Sequence, residues 1–245
     1  MSKASLASDQ KGVWTRRIRS LAWLCLIAIA ALALFYWRYW AALEALPAKV
    51  QQRVATHHGI YLTNAAVNPW LTHALIATED RSFYRNWGIS FEGIGRALLV
   101  DIRTLTFAQG GSTITQQLVR DMMLSPRKTI PRKVTGVLLS LMVTALYSKQ
   151  QILNMYLNEV YLGHDSYGVA KAAHVYFGRS ITTLTPADAT LLAGLPQAPS
   201  AYDPLTHFRL AKDRQWEVLS SMVSDHLISA NKAHQIFTEP LHLLK

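Results

Sequence analysis

The sequence predicts a mainly α-helical domain that follows one N-terminal transmembrane helix, and three observations support this. The chain has 245 residues, half of them apolar. Setting the apolar N-terminal run aside leaves about 200 residues, enough for one well-buried domain. From residue 71 onward, apolar residues recur mostly at helical spacing, with few alternating strand runs. The single cysteine, Cys25, excludes an intramolecular disulfide, so the fold must depend on its core.

The first element is an uncharged apolar run from Leu21 to Trp37. At 1.5 Å per residue it is about 25 Å long, the lower end for a helix that crosses a bilayer. Basic residues are densest before it, which places the N-terminus in the cytoplasm and the domain outside. A cleaved signal peptide is the alternative, with "ALA" at 31–33 as its cleavage pattern. Because that pattern lies inside the apolar run, we expect an uncleaved anchor.

The remaining pattern sets the order of the elements. We divide the chain into a cytoplasmic tail (1–20), a transmembrane helix (21–40), a connecting segment (41–64) and a domain (65–245). Within the domain, helices are predicted at 71–77, 91–102, 112–124, 131–147, 149–161, 169–177, 185–194 and 208–228. The middle of the fourth is apolar all round, which is typical of a helix buried inside a domain. The seventh has Thr185 as N-cap, Pro186 at its first position and Gly194 just past its end.

The charge balance points to a polyanionic partner. The formal net charge is +10 and the pI is about 9.8. Nucleic acid, anionic lipid and phosphate groups all fit this balance, and composition alone does not choose among them. The nine histidines show no metal-ligand spacing, and the chain has no phosphate-loop or dinucleotide-binding pattern.

Two adjacent carboxylates stand in "TEDRSFYRNWG", residues 78–88. Glu79 ends an apolar helical run and precedes a cluster of aromatic residues. Partial burial there would raise its pKa and make it a proton acceptor near neutral pH. The alternative is a helix-end acid paired with Arg81 or Arg85, and these residues alone favour that simpler interpretation.

Two further segments suggest binding of an anion or a sugar. In "QGGSTITQQLVR" (109–120), two glycines precede a helix start that is rich in hydroxyl and amide groups. Ser112 or Thr113 is the natural N-cap, and such a helix terminus can bind an anion. In "SPRKTIPRKV" (125–134), Arg132 and Lys133 begin a helix, where cations oppose the helix dipole. That placement suits a phosphate, while the alternative is a basic loop on an anionic membrane surface.

Five segments in this order resemble the motifs of the peptidoglycan glycosyltransferases, family 51, in their monofunctional, membrane-anchored form. The likeness covers roughly residues 65–230. Its segments are EDxxFxxNxG from Glu79 with Arg96-Ala97 after it, GGSTITQQLVRD at 110–121, RKVTG at 132–136, ILxxYLN from Ile152, and the run from Ala172 to Pro204.

The resemblance implies a lysozyme-like helical domain that polymerises lipid II into glycan strands and releases undecaprenyl pyrophosphate. Glu79 would be the base. The residues implied to bind the substrate are Asp80, Phe83, Asn86, Arg96, Ser112, Thr113, Gln116, Gln117, Arg120, Arg132 and Lys133. Asp80 would also support the local structure through a basic partner. No tightly bound cofactor is implied, although Mg²⁺ or Mn²⁺ is a candidate ion at the pyrophosphate.

The resemblance also implies location and partners. The protein would be single-pass in the cytoplasmic (inner) membrane, with its catalytic domain on the periplasmic or outer face. Its partners would be lipid II, the growing glycan strand and the membrane, together with separate transpeptidases and divisome proteins, and not nucleic acid. Because the chain ends soon after the matched region, we expect no C-terminal transpeptidase domain.

Four positions depart from the family pattern. Asn86 replaces a His, Arg120 replaces a Lys and Asp121 replaces an Asn. Gly136 replaces the second acidic residue, so we expect slower polymerisation or a stronger dependence on metal. A weakened member that binds lipid II or serves as a divisome scaffold is therefore the alternative function. A lysozyme-like hydrolase is disfavoured, because hydrolysis does not require the basic, acid-free stretch between Asp121 and Glu159.

Overall fold

The computed structural model describes residues 3–63, 68–90, 92–93, 111–127 and 129–244. Within these ranges it contains ten α-helices and two 3-10 turns, and its only extended pairing is one isolated bridge, between Tyr161 and Tyr167. The predicted mainly helical class is confirmed. The helices are α1 (Lys3–Glu44), α2 (Leu46–Thr56), α3 (Pro69–Glu79), α4 (Ile114–Met123), α5 (Ile130–Leu146), α6 (Lys149–Glu159), α7 (Val169–Phe177), α8 (Pro186–Gly194), α9 (Phe208–Ser224) and α10 (Ala230–Thr238).

The first compact unit, Met1–Ala45, consists essentially of α1. Its segment Arg16–Glu44 has 29 residues and a mean hydropathy of 2.3. The most apolar stretch of this segment has no residue buried against the rest of the protein. At 1.5 Å per residue it is about 44 Å long, enough to cross a bilayer. The helix is longer than the predicted span 21–40, because it begins at Lys3 and includes residues of the predicted tail.

The second unit, Leu46–Lys245, contains the remaining helices. Helices α3, α8 and α9 pack against one another, and α10 packs on α9. Helix α4 lies against α5 and α6, and α2 lies against α6. The end of α3 and the start of α4 are brought together where these two groups of helices meet, and the candidate site forms there.

Helix α2 lies in the segment that we expected to be a connection. Leu46, Val50 and Val54 recur every four residues and are buried, forming one narrow apolar stripe. Lys49 Nζ and Arg53 Nη1 donate to the carbonyl oxygens of Met122 and Asp121, at the end of α4. Cations satisfy the free carbonyls of a helix C-terminus, so α2 is part of the domain's packing.

Helix α5 is not buried all round, in contrast to the prediction. Leu139, Ser140 and Val143 are its buried residues, while Leu146, inside the apolar middle of the predicted helix, is 38 % exposed. In the described part of the chain, α5 packs chiefly on α4 and α6, which cover only part of its surface. The helix predicted at 91–102 lies outside the described residues, apart from residues 92–93.

Gly194 also differs from its predicted role. It is the last residue of α8 and has right-handed helical angles (φ −80°), so it is not a left-handed residue beyond the helix end. Its missing side chain has a packing reason instead. A Cβ atom at Gly194 would lie 2.8 Å from Cγ of Arg214 on α9.

Candidate active site

The end of α3, the start of α4 and one face of α9 enclose a cleft of about 680 Å³. Polar and charged side chains form much of its lining. They include Glu79, Ser112, Gln117, Arg120, Arg214 and Ser224.

Glu79 is the last residue of α3, and its side chain is 12 % exposed. Its Oε2 accepts a hydrogen bond from Gln117 Nε2 at 2.8 Å, and its Oε1 lies 3.7 Å from Arg214 Nη2. Burial raises the pKa of Glu79, against the opposing effects of the Gln117 hydrogen bond and the charges of Arg214 and Arg120. A carboxylate in this state is a stronger proton acceptor than an exposed one.

The simpler interpretation of Glu79, a surface pair with Arg81 or Arg85, does not describe this geometry. Arg81 Nη2 instead donates to Ser224 and Asp225 at the end of α9. This ion pair fixes the first residues after Glu79 against α9.

Asp80 is a buried organiser of the loop after α3. Its Oδ1 accepts from Ser82 Oγ at 3.0 Å and from Asn86 Nδ2 at 2.9 Å. Its Oδ2 accepts from Asn86 Nδ2 at 3.0 Å and from the Ile114 backbone N–H at 3.2 Å. Both oxygens of the carboxylate are thus engaged by neighbouring groups of the protein. Asp80 therefore ties the loop after α3 to the start of α4, and its implied contact with substrate stays a prediction.

Phe83 and Asn86 lie behind the cleft. Phe83 is fully buried, with Lys149 Nζ 4.8 Å from its ring centroid. Asn86 Oδ1 accepts from Lys149 Nζ at 3.0 Å and from the Gly88 N–H at 2.9 Å. Lys149, absent from the sequence-based site, bonds Asn86, and its charge acts on Asp80 without a direct hydrogen bond between them. Asn86 stabilises this loop without the His of the family pattern.

The start of α4 is a complete capping box. Thr113 Oγ1 accepts from the Gln116 N–H at 3.1 Å, and Gln116 Oε1 accepts from the Thr113 N–H at 3.0 Å. Thr113 Oγ1 also donates to the Gly88 carbonyl oxygen at 2.7 Å. Thr113 and Gln116 therefore hold the helix start, and exposed Ser112 is the hydroxyl that faces the cleft.

Gln117 connects the cleft to the core. Its Nε2 donates to Glu79, and its Oε1 accepts from Tyr156 Oη at 3.2 Å. Tyr156 lies fully buried on α6. The NH₂ group of the amide thus faces Glu79 and its oxygen faces Tyr156, so Tyr156 helps to position the group that binds Glu79. Tyr156 was missed from the sequence, where its only signal was its place in the YLN segment.

Arg120 is the cation of α4 at the cleft. Its Nε and Nη2 donate to the two carboxylate oxygens of Asp121 at 2.7 and 2.8 Å. The two family departures, Arg for Lys and Asp for Asn, thus form one bidentate pair. The pair reduces the positive charge that Arg120 offers to a ligand.

The third motif lies apart from the cleft lining. Arg132 and Lys133 are in the first turn of α5, whose N-cap is Thr129, and Lys133 is exposed. Gly136 faces Leu124. Arg96 lies outside the described residues.

Arg214 is the main cleft residue that sequence reasoning missed. It lies three residues after buried Ala211 and four before buried Val218, on the packed face of α9. A charged residue on the packed face of an amphipathic helix was the available signal. Its contacts bring a second helix of the domain to Glu79.

The described residues near the cleft do not form a cluster of protein metal ligands. Among the residues that the structure describes, no three His, Cys, Asp or Glu side chains gather as ligands. The Asp121 carboxylate is paired with Arg120, and Gly136 has no side chain that could bind a metal.

Comparison with known proteins identifies the family of the chain. The family model described as "Transglycosylase" matches residues 47–223. The chain belongs to this transglycosylase family, and its matched region is a peptidoglycan transglycosylase domain.

The chain is similar to two penicillin-binding proteins 1A. The one from Neisseria gonorrhoeae is 42% identical over 172 residues, covering 70% of this chain and 22% of the relative. The one from Haemophilus influenzae is 36% identical over 230 residues, covering 91% and 27%. The chain thus spans about a quarter of the length of these relatives. The crystal structure of the Haemophilus protein matches with 27% identity and a TM-score of 0.47, covering 76% of this chain and 18% of that one.

Proposed function

We propose that this protein is a peptidoglycan glycosyltransferase that joins lipid II units into glycan strands and releases undecaprenyl pyrophosphate. The observation that carries the proposal is the state of Glu79. It is a buried carboxylate at a polar cleft, with Oε2 fixed by Gln117 and Oε1 held by no hydrogen bond within the described residues. Membership of the transglycosylase family supports the reaction class.

In the proposed reaction, the 4-hydroxyl of the acceptor sugar attacks the anomeric carbon of the donor. The new C–O bond forms as the bond to the pyrophosphate oxygen breaks, and the leaving group takes the electron pair. Glu79 Oε1 accepts the hydroxyl proton, for which its raised pKa is suited. Attack opposite the leaving group converts the α-linkage into a β-linkage.

The leaving group explains how the reaction can proceed without an acid at position 136. Pyrophosphate is stable as an anion and needs less protonation than a sugar alkoxide. Arg120 can stabilise the developing charge electrostatically, although Asp121 shares its guanidinium. Ser112 supplies a hydroxyl at the same wall of the cleft. We therefore expect polymerisation that is slow for the family.

Helix α1 would keep the domain beside its lipid substrate. We propose that α1 remains as a single membrane span, with the basic N-terminus in the cytoplasm and the domain on the outer face of the membrane. Lipid II and the growing strand would be the substrates. Transpeptidases and divisome proteins are the proposed protein partners.

A lipid II-binding scaffold with little catalysis is the second candidate. Two observations favour it: Gly136 replaces the family's second acid, and Asp121 neutralises the cation of α4 at the cleft. Such a protein would retain affinity for the polyprenyl pyrophosphate sugar without forming polymer.

The two functions can be separated with the full chain in detergent micelles. The purified protein and Glu79→Gln are incubated with labelled lipid II, with and without Mg²⁺, and both polymer formation and lipid II binding are measured. We expect polymer only from the unmutated protein. Saturable binding without polymer under every condition would support the scaffold instead. Equal polymer from both proteins would remove Glu79 from the role of base.

A further inference from the structure

We propose that Arg214 is a positioning residue that keeps the Glu79 carboxylate charged and ready to accept a proton, and that Glu217 holds Arg214 away from a closed ion pair. The proposal rests on the function proposed above, in which Glu79 is the base. It assigns a role to a residue of α9. This helix lies outside the two family motifs that contain Glu79 and Gln117.

The contacts of Arg214 fix its guanidinium from two sides. The side chain is 10 % exposed. Its Nη1 donates to Glu217 Oε2 at 2.6 Å, and its Nε donates to the Gly194 carbonyl oxygen at 3.2 Å. A guanidinium is planar and rigid, so these two bonds also fix the position of Nη2. Nη2 therefore points toward Glu79 but stops 3.7 Å from Oε1.

The distance of 3.7 Å between Arg214 Nη2 and Glu79 Oε1 is useful for a base. A hydrogen-bonded ion pair at about 2.8 Å would occupy one of the two lone pairs of Oε1 and make the carboxylate a weaker proton acceptor. With no cation nearby, burial would favour the protonated carboxyl, which cannot accept a proton. At the observed distance, the charge of Arg214 favours the carboxylate and leaves Oε1 without a closed hydrogen bond.

The other groups that act on Glu79 do not replace Arg214. Gln117 is neutral and occupies Oε2, while Arg120 is engaged by Asp121. Asp80, the next residue, opposes ionisation of Glu79, and Tyr156 from α6 reaches Glu79 through Gln117. Among the charged groups near Glu79, Arg214 acts most strongly in favour of the carboxylate.

The last residue of α8 is a glycine, and Arg214 packs directly against it. A Cβ atom at Gly194 would lie 2.8 Å from Cγ of Arg214, well inside van der Waals contact. Cγ is near the root of the side chain, so Arg214 could not avoid the clash by moving only its tip. The absence of a side chain at Gly194 thus lets α8 supply the carbonyl oxygen that binds Arg214 Nε.

A direct titration of Glu79 tests the proposal. The full chain, labelled with ¹³C at glutamate Cδ, is titrated by NMR in detergent micelles, and the Glu79 signal is assigned by its loss in Glu79→Gln. The pH dependence of lipid II polymerisation is measured in parallel. The variants are Arg214→Gln, Arg214→Lys, Glu217→Gln and Gly194→Ala, with Arg209→Gln as control because it removes one exposed charge from the same helix.

We expect Arg214→Gln to raise the Glu79 midpoint by about one pH unit or more, the usual effect of losing a nearby opposite charge. The acid side of the polymerisation profile should move upward by the same amount. Arg214→Lys should keep the midpoint close to that of the unmutated protein. Glu217→Gln should lower the midpoint as Arg214 closes on Glu79, and Gly194→Ala should raise it as Arg214 is displaced. Arg209→Gln should leave it unchanged.

Three results would overturn the proposal: an unchanged midpoint in Arg214→Gln, an equal change in Arg209→Gln, or a raised KM for lipid II as the sole effect of losing Arg214. If Arg214→Gln does not fold, Arg214→Lys and Gly194→Ala still test the same link. The NMR midpoint needs no turnover. A changed midpoint in a protein that makes no polymer would therefore support the Arg214–Glu79 link while removing the polymerase function.

Discussion

Helices α3 and α6 have the same length and the same last residue type, but their last residues have different surroundings. Each has eleven residues and ends in a buried glutamate, Glu79 and Glu159 respectively. Burial raises the pKa of both carboxyls. Glu79 lines the cleft, is bonded by a neutral amide and lies 3.7 Å from a restrained cation. The side chain of Glu159 is only 2 % exposed, and its Oε2 lies 3.3 Å from Nη1 of Arg53 on α2.

Burial of an acid therefore does not by itself make it a base. Burial and the charge of Asp121 raise the pKa of Glu159 to about 8, with Arg53 and Arg120 opposing. Glu159 nevertheless is not part of the described cleft lining. Access to the cleft distinguishes Glu79, because Glu159 Oε2 likewise has no hydrogen-bond partner among the described residues. Tyr156 lies near both glutamates, and the negative charge of each carboxylate raises the pKa of its hydroxyl.

The largest expected effect is a difference in polymerisation rate between variants of the two glutamates. Glu79→Gln should lower the rate of lipid II polymerisation by about 10²–10⁴-fold, the usual contribution of a general base. Glu159→Gln should polymerise at close to the unmutated rate, since its carboxyl does not reach the cleft. Initial rates of the two purified variants, measured side by side, check this. Similar losses in both would mean that Glu159 takes part in the reaction.

The second prediction concerns stability and pH. Because the pKa of Glu159 is about 8 in the folded protein against 4.5 as its ordinary value, the folded state keeps a proton that the unfolded chain releases. This contribution is complete below about pH 4.5 and is lost as pH rises through about 8. A pKa difference of one between the folded and unfolded states corresponds to about 1.4 kcal/mol, so the loss is of the order of a few kcal/mol.

Thermal unfolding of the full chain in detergent, from pH 5 to pH 9, measures this effect. Glu159→Gln cannot ionise and should lose less stability over that range than the unmutated protein. Parallel stability curves for the two proteins would show that Glu159 does not carry the raised pKa.

The third prediction tests the tyrosine between the two glutamates. Tyr156→Phe removes the donor to Gln117 Oε1 and leaves that amide free to turn. Loss of one buried hydrogen bond corresponds to about 1 kcal/mol, so kcat should fall about fivefold while KM changes little. The NMR titration midpoint of Glu79 should also change, because Gln117 would hold the carboxylate less firmly. A change in KM alone would contradict this positioning role.

The smallest expected effect comes from changing the glycine at the position of the family's second acid. Gly136 lies inside α5, and a Cβ there would meet only the end of the Leu124 side chain, at 3.1 Å. Gly136→Ala should stabilise the protein by about 0.5–1 kcal/mol, the usual difference between alanine and glycine in a helix. Unfolding experiments measure this change, and a loss of stability would mean that Leu124 cannot move.

The matched variant Gly136→Glu tests function at the same position. It should polymerise lipid II faster than Gly136→Ala if the missing acid limits the rate. Equal rates for the two variants would show that the enzyme works without a second carboxylate.

Much of the fold was predictable, because apolar periodicity and caps are local signals. The helix predicted at 112–124 is observed at Ile114–Met123, and the one at 169–177 has the predicted bounds. Helix α2 was missed because its apolar stripe has only three buried residues, and α10 because it buries only Ala233 and Ile236. The extent of burial around α5 could not be predicted, because it depends on which neighbours cover it.

The sequence by itself determined the helical class, the apolar N-terminal segment and the family, and it singled out Glu79 through the order of its motifs. Only the tertiary structure decided what each side chain does. It placed the Ile114 N–H against the Asp80 carboxylate and brought Arg214 to Glu79 from a distant part of the chain. The physical reason is that burial and charge at a carboxyl depend on distances between helices, which periodicity and local propensity do not specify.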